Sequence, residues 1–114
     1  MKERLARYRD LVVGVASIDH VAREGLEQYR AKLWLADGSN LRVSEVWVDG
    51  QLTRYSYYWL DEADHLIAGW DNAPHHPEIK SHPHHTHTAQ DVRDSSMHNL
   101  EDVLTFLAKR LLGE

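Results

Sequence analysis

Residues 28–60 carry the pattern of an antiparallel sheet and read QYRAKLWLADGSNLRVSEVWVDGQLTRYSYYWL. Apolar and polar residues alternate in the first and last parts of this stretch, which is the period of a half-buried β-strand. The Asp-Gly pairs at 37–38 and 49–50 are typical of tight hairpin turns. The stretch therefore predicts three antiparallel strands joined by two hairpins.

The apolar pattern also predicts where this sheet is irregular and where it continues. In the middle strand the aliphatic residues occupy odd-numbered positions up to Val43 and even-numbered positions from Val46 onward. This change predicts a β-bulge near Glu45. After a polar turn, His65–Trp70 is predicted to add a fourth strand. Residues 11–17 are rich in valine, which favours a further strand over a continuation of the preceding helix.

Two helices complete the predicted fold. A short helix is predicted over 2–9, and its arginines are expected to form a solvated face, namely Arg4, Arg7 and Arg9. The C-terminal segment has apolar residues at helical spacing, namely Leu100, Val103, Leu104, Leu107 and Leu111. Asn99 or Ser96 is expected to cap its start, and Gly113 suits its end. We expect a single α+β domain, 1–114, in which a curved four- or five-stranded antiparallel meander packs one face on this helix and leaves the other face for a site.

Composition limits the class of protein. The 114 residues, 42% of them apolar, are enough for one modest core and too apolar for a disordered chain. There are no cysteines, so disulfides, thiolate catalysis and cysteine-based zinc sites are excluded. No apolar run approaches the ~20 residues that cross a bilayer, and the N-terminus lacks the pattern of a signal peptide. We therefore expect a cytoplasmic protein without a membrane partner.

The net charge of −5 is unevenly distributed. Residues 1–60 hold nine basic against eight acidic residues, whereas residues 61–114 hold four against ten. A general nucleic-acid binder is usually basic overall, so this balance argues against broad, tight binding to nucleic acid. It leaves room for a site that engages one or two phosphates.

Histidine is concentrated in one segment of the chain. Six of the nine histidines fall within thirteen residues, namely His75, His76, His82, His84, His85 and His87. Three prolines interrupt the same region and exclude a helix there. This density predicts that the function lies in Trp70–His87, and three interpretations of the histidines remain open.

The first interpretation is metal binding, which histidine-rich tracts favour. In an extended chain His82 and His84 face one side while His85 and His87 face the other, so a site made of all four is not expected. A two-histidine site completed by a carboxylate stays open, and the acidic candidates are Asp71, Glu78 and Glu45. Such a site would hold a divalent metal such as zinc.

The second interpretation is metal-free acid–base cleavage of RNA, with no cofactor. This reaction needs a base for the 2′-OH proton, an acid for the leaving oxygen and cations for the developing charge. The candidate acids and bases are His75, His76, His84, His85 and His87. Asp71 would orient a histidine, and Arg54 and Lys80 would meet the phosphate. The candidate substrate-binding residues are Tyr58 and Trp70, expected to be exposed and to stack a base, and Asn72.

The third interpretation is non-enzymatic: the histidines build a protein-binding loop by capping turns and donating to carbonyls. His20 and His98 are treated as ordinary surface or capping residues in all three interpretations. Exposed strand edges make a homodimer an additional expectation.

The run from Gly69 to Ile79, GWDNAPHHPEI, followed by SHPHHTH at 81–87, resembles the signature of the TumE-type toxin family of bacterial type II toxin–antitoxin systems. The resemblance covers residues 26–112 and leaves the first 25 residues without a counterpart. It implies a growth-inhibiting toxin that acts on RNA as an endoribonuclease and is neutralised by a cognate antitoxin. The family commonly has arginine immediately before the tryptophan, where this chain has Gly69.

Overall fold

A computed structural model describes residues 1–113 of the chain. Its helices are α1 (Lys2–Leu5), which a 3₁₀ turn at Ala6–Tyr8 follows, and α2 (Leu100–Leu112). Its strands are β1 (Val12–Arg23), β2 (Leu26–Leu35), β3 (Asn40–Val48), β4 (Gln51–Leu60), β5 (Leu66–Asp71), β6 (His85–His87) and β7 (Val92–Asp94). Within residues 1–113 these strands form one antiparallel sheet in chain order. The α+β class and the meander are therefore confirmed.

The strand count of seven corrects the prediction of four or five. The two additional strands, β6 and β7, have three residues each and follow the proline-interrupted segment. Three residues are too few to show an alternating pattern in the sequence. These strands form because β6 pairs with the edge of β5 and β7 then pairs with β6.

The β3–β4 hairpin turns at Asp49-Gly50, as the sequence predicts. Both residues have positive φ, 50° and 78°, which is the conformation of a type I′ turn. That turn matches the right-handed twist of the strands it joins.

The irregularity predicted near Glu45 is present, but the extra residue does not lie in β3. β3 keeps its alternation, and Leu41, Val43 and Glu45 are all buried on the same face. The register shift lies further along, between Val46 and Trp47, where β4 carries an extra residue, Thr53. The alternation looks broken in the sequence because Glu45 places a buried carboxylate where the pattern leads one to expect an apolar side chain.

That carboxylate corrects the expectation for Arg4 as well. Arg4 is not part of a solvated face, because its guanidinium makes a double hydrogen bond to Glu45 at 2.6 and 2.9 Å. It also donates to Glu101 of α2 at 2.9 Å. Burial disfavours the charge of Arg4, but these hydrogen bonds outweigh it and raise its pKa. One arginine thus joins α1, β3 and α2.

The sheet has an inner face, which α1 and α2 cover, and an outer face. The inner face contributes large core side chains, namely Leu33, Leu35, Leu41, Val43, Tyr55, Tyr57, Trp59 and Trp70. The buried residues of α2 that belong to this core are Leu100, Val103, Leu104 and Leu107. Asn99 caps α2 by accepting from the Asp102 amide at 2.8 Å, and Gly113 ends it at φ 72°.

β1 is an edge strand with exposed apolar side chains, among them Val13 and Val21. A homodimer through such an edge stays a prediction. No helix in residues 1–113 is long and apolar enough to span a membrane.

Candidate functional site

The strand register brings the central candidate residues together on the outer face. Asp71 on β5 pairs with Ser56 on one side and with His85 on the other, and Gly69 pairs with His87. Because alternate residues of a strand point to opposite faces, these side chains lie on the face that α2 does not cover. We call Asp71, His85 and His87 the Asp71 cluster.

The polar atoms of the Asp71 cluster converge. His85 Nε2 lies 2.8 Å from Asp71 Oδ1, and His87 Nε2 lies 3.2 Å from Asp71 Oδ2. The two Nε2 atoms are 2.8 Å apart. The side chains of His85 and Asp71 are 3% and 8% exposed, whereas that of His87 is 27% exposed. His87 is therefore the member of the cluster that a bound molecule can reach.

The contacts of His85 fix its tautomer. Its Nδ1 lies 3.0 Å from the Pro83 carbonyl oxygen, which can only accept, so Nδ1 carries a hydrogen. In a neutral ring Nε2 would then face the Asp71 carboxylate with a lone pair. A hydrogen donated by His87 Nε2, or a metal ion bound among the three side chains, would offset this repulsion.

Two further donors hold the Asp71 carboxylate in place. The Ala73 amide donates to Oδ1 at 3.0 Å, and the Tyr58 hydroxyl donates to Oδ2 at 2.9 Å. Burial and the neighbouring Asp71 charge raise the pKa of Tyr58 to about 12. Tyr58 is thus a hydrogen-bond donor to Asp71 at neutral pH, in addition to any contact its ring makes with a substrate.

Gly69 makes room for the Tyr58 ring. A β-carbon at position 69 would overlap the ring atoms of Tyr58. The absence of an arginine before Trp70 therefore has a structural counterpart in this chain: the space above residue 69 is filled by the tyrosine that holds Asp71.

His76 lies beside the Asp71 cluster. Its ring is edge-on to those of His85 and His87, with centroids 5.2 and 6.1 Å away. Its Nδ1 is 3.1 Å from a Glu78 carboxylate oxygen, which places a hydrogen on Nδ1 and leaves Nε2 for another partner.

His84 does not join the Asp71 cluster. It faces the inner side, where its Nδ1 is 2.6 Å from the Tyr55 hydroxyl and its ring stacks on His98 at 4.0 Å. Because the Tyr55 hydroxyl donates to the Met97 carbonyl, His84 Nδ1 must be the donor to Tyr55. Burial, then the charges of His98 and His85, lower the pKa of His84.

Four other predicted residues are exposed, namely Arg54, His75, Lys80 and His82. Within residues 1–113, none of them makes a side-chain hydrogen bond or ion pair. Arg54 nevertheless lines a depression together with Tyr58, Asp71 and Asn72. It is therefore the predicted cation that the structure brings to the site.

Two predicted substrate-binding residues have structural roles instead. Trp70, expected to be exposed, is 3% exposed and packs edge-on against Phe106 of α2, so that prediction is wrong. Asn72 uses its side chain on the β4 backbone, accepting from the Tyr55 amide and donating to the Thr53 carbonyl. Asn72 thereby provides hydrogen-bond partners for the β4 backbone next to the extra residue, Thr53.

Glu45, an alternative metal ligand in the sequence analysis, is on the inner face and cannot join the Asp71 cluster. Besides Arg4, its carboxylate accepts from the Tyr57 hydroxyl at 2.6 Å and from Trp47 Nε1 at 3.2 Å. Burial and the Glu45 charge raise the pKa of Tyr57. This group of side chains stabilises the core and has no open ligand position.

The side chains of the Asp71 cluster could also hold a metal ion. Within residues 1–113, one group of three side chains has ligand atoms that all lie within 4.8 Å of one another, and it consists of Asp71, His85 and His87. Three protein ligands with an open fourth position are typical of catalytic zinc. A ligating histidine usually donates its other ring N–H to a carbonyl or carboxylate, as His85 does to Pro83.

Sequence reasoning missed the supporting groups: the Pro83 carbonyl, the Ala73 amide and the Tyr58 hydroxyl. The first two are backbone atoms, and no residue type indicates them. The position of Tyr58 could be predicted, because the alternation of β4 places it on the outer face with Ser56 and Arg54; its hydrogen bond to Asp71 could not.

Comparison with known proteins adds one positive finding. The sequence model of a family described as toxin TumE matches residues 2–111. The match begins in α1, so the interpretation that the first 25 residues have no counterpart in the family is wrong. Searches of the curated proteins and of the solved structures found no match.

Proposed function

The chain belongs to the TumE toxin family, and on that premise we propose that it is a toxin that cleaves RNA at the Asp71 cluster. The observation that carries this proposal is the pair of imidazole Nε2 atoms, 2.8 Å apart and both facing one carboxylate on the open face of the sheet. Membership in a toxin family also implies a cognate antitoxin that neutralises the protein.

The hydrogen bonds suggest which atoms exchange protons with RNA. His87 directs Nε2 toward Asp71, so a hydrogen on Nε2 leaves a lone pair on Nδ1, which acts as general base. His76 in its doubly protonated form donates Nδ1–H to Glu78 and presents Nε2–H as general acid. His85 and Asp71 are positioning residues for His87.

In this mechanism His87 Nδ1 takes the proton of the ribose 2′-OH, and the 2′-oxygen attacks the phosphorus. The bond to the 5′-oxygen breaks, and that oxygen receives the proton of His76. The products are a 2′,3′-cyclic phosphate and a free 5′-OH. Arg54 stabilises the charge that develops on the phosphoryl oxygens.

The second candidate is a metal-dependent hydrolase that uses the same residues. The convergence of three ligand atoms within 4.8 Å favours it, together with the donation from His85 to a backbone carbonyl. In that case Asp71, His85 and His87 hold the metal, which supplies an activated water or a Lewis acid.

The decisive experiment is cleavage of a labelled RNA by metal-stripped protein in EDTA and after addition of Zn²⁺ or Mn²⁺. Cleavage in EDTA supports acid–base chemistry, and cleavage that requires metal supports the hydrolase. In either case Asp71→Asn and His87→Ala should lower the rate by about 10²-fold or more.

His75→Ala and His82→Ala are the matched controls, because both histidines are exposed and lie outside the Asp71 cluster. They should retain activity. If no RNA is cleaved with or without metal while the folded protein still inhibits growth, the ribonuclease proposal fails and the non-enzymatic interpretation takes its place.

A further inference from the structure

Two rows of side chains cross the outer face and end at the Asp71 cluster. By strand register, one row consists of Ser17, Lys32, Arg42, Tyr58, Gly69 and His87. The adjacent row consists of Arg30, Ser44, Ser56, Asp71 and His85. Neighbouring strands lie ~4.8 Å apart, so the first row spans roughly 19 Å between Lys32 and His87.

The far ends of these rows are basic, in a protein whose net charge is −5. Arg30, Lys32 and Arg42 lie together there, and Arg54 lies nearer the cluster. Within the described part of the chain, Arg42 has an ion pair with half-exposed Asp64, at 3.4 Å. Exposed pairs of this kind are weak and exchange readily for a phosphate. Asp19, opposite Arg30, is another acidic group on this end of the face.

Two neighbouring depressions lie between the basic residues and the cluster. One depression of about 440 Å³ is lined by Arg30, Lys32 and Arg42, and a second of about 270 Å³ is lined by Arg54 and Asp71. The two share a set of lining residues, namely Ser44, Ser56 and Tyr58. Adjoining depressions thus link the basic residues to the cluster.

Aromatic side chains accompany the cations. Trp34 is 39% exposed next to the basic end, and the Lys32 ammonium lies 4.4 Å from the centre of its ring. Tyr58 lies half-buried near the cluster. Cations with interleaved aromatic rings are typical of surfaces that bind single-stranded nucleic acid, because phosphates meet the cations while unpaired bases stack.

We propose that the outer face binds a single-stranded RNA segment along these rows, with its phosphates on Arg30, Lys32 and Arg42 and the scissile phosphodiester at His87. This inference rests on the proposed ribonuclease function for what happens at the cluster. It adds that the substrate is single-stranded, and it names the residues that bind the substrate at a distance from the reaction centre.

The test measures binding without cleavage. The probe is a labelled 2′-O-methyl RNA, whose blocked 2′-oxygen cannot attack the phosphate, used as a single strand and as a hairpin. Arg30→Gln/Lys32→Gln is compared with Lys109→Gln/Arg110→Gln, which removes the same charge from exposed positions at the end of α2. Fluorescence anisotropy is recorded over a range of salt concentrations.

We expect the single strand to bind more tightly than the hairpin. Arg30→Gln/Lys32→Gln should weaken binding on the order of tenfold and reduce the magnitude of the salt slope by ~1.4, the contribution of two phosphate contacts. The α2 variant should bind like the unmodified protein. Equal effects of the two variants, no effect of either, or preference for the hairpin would overturn the inference.

The failures of the two proposals are distinguishable. If the probe binds as expected but natural RNA stays intact with and without metal, the ribonuclease function fails and the binding surface stands. If natural RNA is cleaved and Arg30→Gln/Lys32→Gln binds the probe normally, the binding surface is wrong. If the probe does not bind and the cognate antitoxin binds the unmodified protein but not this variant, the face is a protein interface instead.

Discussion

Gly69 is the residue on which the geometry of the site depends most visibly. It lies under the ring of Tyr58, and the Tyr58 hydroxyl holds one oxygen of Asp71 at 2.9 Å. The other oxygen accepts from the Ala73 amide. A carboxylate with both oxygens held in this way keeps a fixed orientation toward His85 and His87, which is what a positioning residue requires.

We predict that Gly69→Arg displaces the Tyr58 ring and destabilises the fold by about 1–3 kcal/mol, the usual cost of overpacking. Urea denaturation measures this loss. Tyr58→Ala opens the space above residue 69. The double variant Gly69→Arg/Tyr58→Ala should therefore lose less stability than the sum of the losses of the two single variants. Strict additivity of the two substitutions would contradict the contact.

Among the elements, α1 has a role larger than its four residues suggest. So short a helix is unstable alone and depends on tertiary contacts. Arg4 provides them, since it pairs with Glu45, whose side chain is fully buried, and with Glu101. Burial alone would raise the pKa of Glu101, but the hydrogen bond from Arg4 and the backbone contact lower it. The helix is thus attached to both β3 and α2.

Arg4→Met should therefore leave the Glu45 carboxylate buried without its cation. We expect a loss of about 2–4 kcal/mol in the free energy of unfolding, less than the ~3–5 kcal/mol for breaking a fully buried pair, because Arg4 is partly exposed. Arg9→Met, at an exposed position nearby, should change it by less than about 0.5 kcal/mol. Comparable unfolding curves for the two variants would show that the pair does not stabilise the fold.

At the scale of the whole molecule, His84 couples stability to pH. On the inner side, His84 lies between Tyr55 and His98, and its pKa is lowered by burial and by its histidine neighbours. The unfolded chain therefore binds a proton at this residue at higher pH than the folded chain does. Stability from this source is fully present above the unfolded pKa of ~6.5 and is lost as pH falls below it.

We predict that the free energy of unfolding decreases between about pH 7.5 and pH 5.5, and that it decreases less in His84→Gln. Thermal or urea denaturation at several pH values measures the difference. His75→Gln is the control, because His75 is exposed, and its pH dependence should match that of the unmodified protein. If His84→Gln and His75→Gln have the same pH dependence, His84 is not the coupled group.

The alternating pattern of residues 28–60, the Asp-Gly turns and the capped C-terminal helix were predictable because each is set by local geometry. A strand has a two-residue period, a helix has a period of 3.6 residues, and a type I′ turn needs residues that tolerate positive φ. The concentration of histidine in 75–87 likewise marked the right region, and the motif around Trp70 marked the family.

Tertiary structure alone decided which of these histidines meet. His84 and His85 are neighbours in sequence, yet one faces Tyr55 on the inner side and the other faces Asp71 on the outer side. That outcome depends on the pairing of β6 with β5, which is set by long-range hydrogen bonds between three-residue segments too short to show a pattern. The burial of Trp70 and Glu45 has the same origin, because the face a strand residue occupies is fixed by register against its neighbours rather than by its own chemistry.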